Sequence, residues 1–580
     1  MTEKIKLQWK FLETGDAQKI AEISKIFSIP DSIANIFYRR GIFNDADAKK
    51  FFYPTKKDLH SPFLMKGMAI AVDRILKAIE KKDKVLVYGD YDVDGTNGTA
   101  MLYLFLQKLG LDVNYFIPDR IKDGYGLTDS GIKNAENLKI NLIVAVDCGT
   151  TAVKQVELAN NIGIDVIICD HHVPDETLPN AIALLNPMQK DCQYPFKFLC
   201  GCGVGFKFIC AIIEKLNLDI EPTDYLDFVA LATTADVVPM IDENRIFVKL
   251  GLEKLNNFPR PGISALINFT KIKPKQLNSS QIVFQLGPRI NAVGRLGDAA
   301  RAVHLLISKD DFEASECAKI LDDENKNRRE IDESVFKNAI SMAEKYIDEK
   351  KGDFFVLYDE TWHSGVVGIV ASRIVEKFHR PAILLANIDG IAKGSARSIN
   401  GFDLHEALKK TKNLLLSFGG HKHAAGLSLN LDNIEQLRDI LNDYAKNEIS
   451  DEIATPSLEI DSILDINDIN LRIMKLVNQF EPFGNGNLTP RFLLKNVSIY
   501  GFPTLIDKNN QKHLKFKLKN NGTLIDCIGF GLGDFITEMV GLNDKYELVF
   551  TLDENNYQGR SMLQLKIRDI KISSNFNNAK

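Results

Sequence analysis

Asp90, Asp92 and Asp94 stand at alternate positions where the run VLVYGDYDVDG (85–95) stops being apolar. Carboxylates this close in sequence repel one another unless a cation sits among them, and a divalent metal is the simplest such cation. A solvated acidic turn has the same composition, so the chemistry rests on partners further along the chain. Asp147 follows the apolar run NLIVAV (141–146), Asp170-His171-His172 follows Ile164–Cys169, and Asp236 follows Thr233-Thr-Ala. Carboxylates with one or two imidazoles and no thiolates favour Mn²⁺ or Mg²⁺ over structural zinc. Asp90, Asp92, Asp94, Asp147, His171, His172 and Asp236 together exceed the needs of one ion. Two ions sharing a carboxylate are the usual device for in-line displacement at phosphorus, one supplying a bound hydroxide and both neutralising charge on the phosphate oxygens. The expected chemistry is two-metal hydrolysis of a phosphoester.

These residues need a scaffold that brings the ends of separate strands to one edge. Val85–Tyr88, Val113–Ile117, Asn141–Val146 and Ile164–Cys169 are short apolar runs bounded by turns, which read as buried parallel strands. Thr99–Leu109 and 151–162 read as helices between them, closed by Gly110 and Gly163, and Met68–Ile79 as an amphipathic helix before the first strand. Strand, turn and helix in repetition is the pattern of a doubly wound parallel sheet, whose ligands bind beyond the carboxyl ends of the strands. Helices near 203–216 and 224–235 extend the domain. Gly201-Cys-Gly-Val-Gly205 opens the first of these. A Gly-rich helix start can hold phosphate, but this one lacks the flanking signature, and close packing is its expected role.

The rest of the chain divides by composition. Residues 1–66 read as a small helical leader, 67–308 as the catalytic domain, and 309–350 as a charged connecting helix. That helix, one long or twice-broken, carries sparse apolar positions (Ile320, Leu321, Ile331, Val335, Ile340, Met342). A smaller α/β domain is expected over 351–448. Residues 449–580 hold a helix and then alternating segments, Arg491–Tyr500, Lys512–Lys519, Leu524–Phe530, Tyr546–Leu552 and Met562–Ile572. Five short strands with a helix between the third and fourth suggest a β-barrel of OB type. At 580 residues the chain is long enough for roughly three or four domains. It has 45% hydrophobic and 26% charged residues, the balance of a soluble globular protein. No apolar run approaches the ~18 residues of a membrane span, and MTEKIKLQWKF has no apolar signal core. The eight cysteines form no Cys-x-x-Cys pair, which argues against a zinc site or disulfide framework. A cytoplasmic monomer without membrane contact is expected. The net charge of −5 argues against coating of duplex DNA by bulk charge, so any nucleic-acid path must be local and basic.

GDYDVDG, VDCGTT, Asp170-His171-His172 and TADVVP resemble, in order and spacing, the motifs of the DHH phosphoesterase superfamily. GSARS and GGHKHAAG resemble the signatures of its associated C-terminal domain. YRRGIF (38–43), GPRINAVGRLGDA (287–299), WHSGVVGIVASR (362–373) and EPFGNGN (481–487) extend the resemblance over nearly the full length, to the superfamily's single-strand-specific exonucleases. The implied fold is a DHH-type parallel-sheet domain joined by a long helix to a smaller α/β DHH-associated domain, followed by an OB-type barrel. The implied activity is degradation of single-stranded DNA from 5′ to 3′ into mononucleotides, with Mn²⁺ or Mg²⁺, in recombination and repair. A single-strand-binding protein and a helicase are the implied partners.

Carried over by motif, Asp92 and Asp147 hold one metal, and Asp94, Asp147, His171 and Asp236 the other, with Asp147 bridging. Many superfamily members have a histidine four residues before the position of Asp92. Here Tyr88 stands there, so the first metal either binds more weakly or takes Asp90 instead. The resemblance sets His172 facing the scissile phosphate. Ser395 and Arg397, with Arg289 or Arg295, are candidates for a 5′-phosphate pocket, because the guanidinium fork suits phosphate; an interdomain ion pair is the rival role for Arg295. Tyr125 is a candidate for stacking on a base, against a core tyrosine between two glycines. His421 lies in a Gly-flanked loop suited to phosphate or to structure. An enzyme for short RNA or cyclic dinucleotides and a non-catalytic DNA-binding scaffold are the competing functions. The leader and terminal barrel weigh against the first, and the intact motif residues against the second.

Overall fold

A computed structural model of the chain describes residues 7–120, 122–273, 276–349, 351–508, 511–539, 545–557 and 560–573. They form two compact units: Thr55–Ala454 with Gly484–Gly486, and Met1–Pro54 with Thr455–Phe483 and Asn487–Lys580.

The first unit is built on a five-stranded parallel sheet of order β2-β1-β3-β4-β5. β1 is Lys84–Gly89, β2 Asp112–Phe116, β3 Leu142–Val146, β4 Asp165–Cys169 and β5 Ala183–Leu185. Alternate residues of the apolar runs enter two different cores, as a sheet covered on both faces requires. Val85, Val87, Leu142 and Val144 pack with helices α1 (Met68–Lys81), α2 (Val93–Lys108) and, further on, Gly201–Leu216. Leu86, Tyr88, Ile143 and Ala145 pack on the opposite face against α3 (Asp129–Asn137) and α4 (Val153–Asn161). Gly89 pairs with Val146 and Val146 with Cys169, so Asp90, Asp147 and Asp170 leave the sheet abreast. Helices α5 (Gly201–Leu216), α6 (Leu226–Ala235), α7 (Asp242–Asn257) and α8 (Gly287–Leu296) follow.

The charged connector is one continuous helix, α9 (Asp311–Asp348), of 38 residues, about 57 Å at the α-helical rise. It is not simply exposed. A stripe of buried positions runs along it: Ala314, Ala318, Leu321, Asp322, Asn325, Arg328, Asp332, Val335, Ala339 and Ala343. Its first alanines belong to the core of the parallel-sheet domain and its last to the core of the second domain. That domain is a mixed sheet of order β9-β10-β8-β7-β6. Its strands are β6 (Phe355–Tyr358), β7 (Ala382–Ile388), β8 (Ile391–Arg397), β9 (Leu415–Gly420) and β10 (Ala424–Asn430), with α10 (Ser364–Phe378) between β6 and β7.

The second unit corrects the expected separation of an N-terminal leader (1–66) from a C-terminal barrel (449–580). Gln8–Phe11 pairs in parallel with Ser457–Ile460. Ile33, Phe37 and Phe52 share one core with Phe480, Phe492 and Phe550, and the Phe37 and Phe480 rings meet edge to face at 5.3 Å. A helical segment this short cannot bury its apolar stripe alone, so it folds on the sheet. The sheet has seven strands. The expected first strand is two, Phe492–Val497 and Ile499–Lys508, and where a helix is expected between the third and fourth strands the described residues hold a 3₁₀ segment, Gly533–Thr537.

Candidate active site

The ends of β1, β3 and β4 deliver the acidic groups, and helix termini orient them. Asp92 caps α2: its Oδ1 accepts from Asp94 N at 2.8 Å and Gly95 N at 3.1 Å. Asp94 is held from the opposite side, where its two oxygens accept from Gly201 N (2.6 Å) and Cys202 N (2.8 Å). The Gly-rich start of α5 therefore does bind an anion, but the anion is the protein's own carboxylate. Glycine at 201 is required by space, since a Cβ there would stand 2.6 Å from the Asp147 Cα. Asp147 adopts a left-handed backbone (φ 61°), a conformation Asp tolerates better than most residues. His171 Nε2 lies 3.2 Å from Asp147 Oδ1, 3.7 Å from Asp236 Oδ2 and 3.9 Å from Asp94 Oδ2.

Potential ligand atoms fall into overlapping groups, within 4.8 Å of one another in each: Asp90, Asp92 and Asp147; Asp94, His171 and Asp236; and Asp147 with Asp170, His171 and His172. Buried Asp90 Oδ1 and Asp236 Oδ2 have no hydrogen-bond partner in the protein. Unpaired buried carboxylate oxygens facing like charges fit a site for hard divalent cations. Burial, followed by Asp92, pushes the Asp90 carboxyl well above its ordinary range. Burial and then Asp94 and Asp92 do the same for Asp147 and bring Asp236 to about 8.

The two adjacent histidines are separated electrostatically. Burial keeps His171 below its ordinary value, in the neutral form a metal ligand needs. Burial also works against charging His172, but the hydrogen bond to Asp170 and the charge of that carboxylate prevail and raise His172 to about 9. His172 Nδ1 is 2.8 Å from Asp170 Oδ1, and the other Asp170 oxygen accepts from Thr150 N. Asp170, quoted in the motif but given no role from sequence, is thus the orienting carboxylate that makes His172 a cation at neutral pH.

A pH dependence follows. The carboxyls of Asp90, Asp92, Asp147 and Asp236 are raised in the metal-free fold. Their stabilising contribution is complete below about pH 4, the unfolded value, and is lost as pH rises through the raised folded values, about 8 for Asp236. Metal binds the deprotonated forms, so its stabilisation grows over the same window. The increment in Tm on adding Mn²⁺ should be larger at pH 8 than at pH 6, by scanning calorimetry. An equal or smaller increment at pH 8 would contradict this electrostatic reading.

The substrate candidates separate clearly. Tyr125 is 55% exposed, with its hydroxyl 2.9 Å from His172 Nε2. Arg295 donates to Gly365 O at 3.1 Å, at the start of α10. Ser395 and Arg397 project from β8 beneath the same helix, where a Cβ on Gly368 would stand 3.1 Å from Ser395 Oγ and 3.4 Å from Arg397 Nη2. Arg120 stacks over Tyr91 at 5.1 Å; burial first, and then the charge of Arg120, lower both Arg295 and Arg397. Arg328, on the polar middle of α9, also acts on Arg295, and its buried Nε has no partner. Among the described residues none of Arg120, Arg295, Arg328 and Arg397 is ion-paired to a carboxylate. Arg120 and Arg328 were not found from sequence; neither lies in a motif that stands out, and only folding brings them to this cluster. His421 is exposed on the β9–β10 turn, three residues before Ala424, which pairs with Arg397.

Arg289 is a correction. It is buried and held on three sides, with Nε on Asp322 at 2.9 Å, Nη1 on Gln285 O and Nη2 on Phe269 O. It fastens α8 to α9, with each of its three nitrogens bonded inside the protein. Arg289→Met should cost about 2–3 kcal/mol, the range of charged hydrogen bonds, by denaturant unfolding, and should leave any 5′-phosphate preference intact. Tyr88 also stands apart, buried on the α3–α4 face of the sheet, while Asp90 completes the first carboxylate group.

In the second unit, strand Gln511–Asn520 turns Leu514, Phe516 and Leu518 inward and Lys515, Lys517 and Lys519 outward. Exposed Tyr500 lies under Lys519 at 5.3 Å, and exposed Phe530 under Lys566 at 5.5 Å. Aromatic faces among lysines are the composition of a single-strand stacking surface.

Three family models match the chain: the DHH family, N-terminal domain, over residues 84–233; the DHHA1 domain over 351–447; and the RecJ OB domain over 460–569. The single-stranded-DNA-specific exonuclease RecJ of Bacillus subtilis (strain 168) is 38% identical over 573 residues, covering 98% of this chain and 71% of the relative. The protein of the same name from Salmonella typhimurium is 33% identical, covering 97% and 99%. The crystal structure of RecJ from Thermus thermophilus in complex with Mn²⁺ superposes with a TM-score of 0.83 at 28% identity, covering 97% of this chain and 79% of that one. The complex of that protein with Mg²⁺ superposes with a TM-score of 0.77.

Proposed function

This chain belongs to the RecJ family of single-stranded-DNA-specific exonucleases, and on that premise we propose that it hydrolyses single-stranded DNA from the 5′ end and releases mononucleotides. The observation that carries the reading is the two ligand groups that meet at Asp147 beside His172, with a cluster of arginines in the same unit that has no carboxylate ion pair among the described residues. Asp90, Asp92 and Asp147 would hold one Mn²⁺ or Mg²⁺ ion, and Asp94, Asp147, His171 and Asp236 the second. Bound there, the ions supply an acidified water and neutralise charge on the scissile phosphate. Asp94 is fixed for this by the start of α5, and Asp92 by its cap on α2. His172, kept protonated by Asp170, presents a positive charge to the phosphate oxygens. Tyr125 meets the terminal base. Arg295, Ser395 and Arg397, with Arg120 and Arg328, bind the 5′-terminal phosphate, and that anchor sets which phosphodiester reaches His172. His421 stands at the edge of this pocket. The lysine and aromatic face of the OB unit grips the strand further along.

Every proposed ligand comes from one chain, which supports a monomer. No helix among the described residues is long and apolar enough to cross a membrane, and we place the enzyme in the cytoplasm, in recombination and repair. An enzyme confined to single strands needs duplex opened and the strand kept extended, which supports a helicase and a single-strand-binding protein as partners.

The 5′ pocket is tested by comparing 5′-phosphorylated with 5′-hydroxyl oligonucleotides. Arg397→Ala removes a charge-assisted contact of about 1.5–3 kcal/mol, so kcat/KM on the phosphorylated strand should fall roughly 10- to 100-fold, with little change on the hydroxyl strand. Equal losses on both would remove Arg397 from the phosphate.

A further inference from the structure

We propose that Tyr88 is a positioning residue: its hydroxyl ties the loop carrying Tyr125 to the strand that carries the metal-site carboxylates. The inference rests on the reading above in one respect, that Tyr125 meets the substrate.

Tyr88 stands two residues before Asp90, and its side chain is fully buried in the core formed with α3 and α4. A phenylalanine would fill this space equally well. The hydroxyl must therefore be explained by what it bonds, because a buried hydroxyl without partners is costly. It donates to Gly126 O at 3.0 Å and lies 3.1 Å from Thr128 Oγ1. Both partners belong to the segment between β2 and α3. Room for the ring is made by Gly131, where a Cβ would run into it. Thr128 in turn caps α3, accepting from Gly131 N.

Tyr125 immediately precedes Gly126 and is flanked by left-handed glycines, Gly124 (φ 93°) and Gly126 (φ 76°). The chain bends on both sides of it. Its ring reaches back over the site, 6.1 Å from Tyr91 edge to face and 5.9 Å from His172. Tyr125 is more than half exposed, and beyond its contacts with Tyr91 and His172 the loop beneath it sets its position. Hydrogen bonds of Asp119 with Asp123, and of Ser130 with Asp123, hold the loop to itself. The bonds from Tyr88 connect it to the sheet. One strand thus sets the depth of the carboxylates and the height of the aromatic residue opposite them.

The test is Tyr88→Phe in the full chain, alone and combined with Tyr125→Ala, read by three measurements. These are kcat and KM on a 5′-phosphorylated single strand with Mn²⁺, hydrolysis of bis(p-nitrophenyl) phosphate with Mn²⁺, and the rate of tryptic cleavage after Arg120 and Lys122 in the loop. Loss of one to two buried hydrogen bonds corresponds to about 5- to 30-fold. Tyr88→Phe should raise KM on DNA by that factor with kcat within about twofold, leave the small diester unaffected, and speed loop cleavage several-fold. In the Tyr125→Ala background it should add no further rise in KM. The proposal is overturned if the KM rise persists undiminished in that background, if the small diester is slowed as much as DNA, or if loop cleavage is unchanged. Should Tyr88→Phe fail to fold, Gly131→Ala displaces the ring from the other side and must give the same cleavage and KM signature, or the proposal falls. If the parent enzyme leaves DNA intact, the substrate reading has failed, and the tryptic rates alone decide the role of Tyr88.

Discussion

Asp147→Asn should abolish hydrolysis of single-stranded DNA, by about 10⁴-fold or more in kcat, the scale on which members of a catalytic unit are lost, while raising the Tm of the metal-free protein. Both effects have one cause. Asp147 is the carboxylate shared by two of the three ligand groups, and His171 Nε2, which belongs to the third, lies 3.2 Å from it. Asparagine keeps the volume and tolerates the left-handed backbone at φ 61°, so the fold has no reason to change. It removes a buried charge that burial, Asp94, Asp92, Asp236 and Asp90 all oppose. Relieving that repulsion stabilises the empty protein. The stabilisation by Mn²⁺ should shrink in the same variant. A variant as active as the parent, or one destabilised without metal, would contradict the assignment.

The second large effect is expected at a residue with no side chain. Gly201→Ala should reduce kcat/KM on DNA by roughly 100-fold, the upper range for residues that orient metal ligands, and destabilise the fold by about 1–3 kcal/mol through overpacking. The added methyl would stand 2.6 Å from both Cα and Cβ of Asp147. The amide of the same residue donates to Asp94 Oδ2. Relief of the clash must move either α5 away from Asp94 or Asp147 away from His171, and each loosens one ligand group. Activity restored by raising Mn²⁺ would identify the loss as one of metal affinity. Full activity at low Mn²⁺ would show that α5 does not organise the ligands.

The sheet and its acidic edge were legible in sequence because the strands are apolar on both faces and end abruptly in Asp. The pairing of Gly89 with Val146 and of Val146 with Cys169 then places the ends level. What was illegible depends on contacts between distant residues. The glycines at 201–205 read as a packing device because the anion they hold, Asp94, is over a hundred residues away. The stripe of α9 was hidden in alanines, which weigh little on a hydrophobic scale yet let a helix sit close in two cores. Arg289 lies in a motif-like run, and only its engagement with Asp322 and two carbonyls shows that it is spent on structure. The N-terminal helices could not be joined to the barrel from sequence, since the pairing of Gln8 with Ser457 leaves no local trace.

The central claim is most directly tested by digesting one single strand, labelled at the 5′ end in one sample and the 3′ end in another, with Mn²⁺ and then with chelator. The account requires the 5′ label to appear at once as a mononucleotide, the 3′ label to persist on shortening strands, and both reactions to stop with chelator or with Asp147→Asn. Release of the 3′ label first, products several nucleotides long from the 5′ end, or cleavage that survives removal of metal would contradict it.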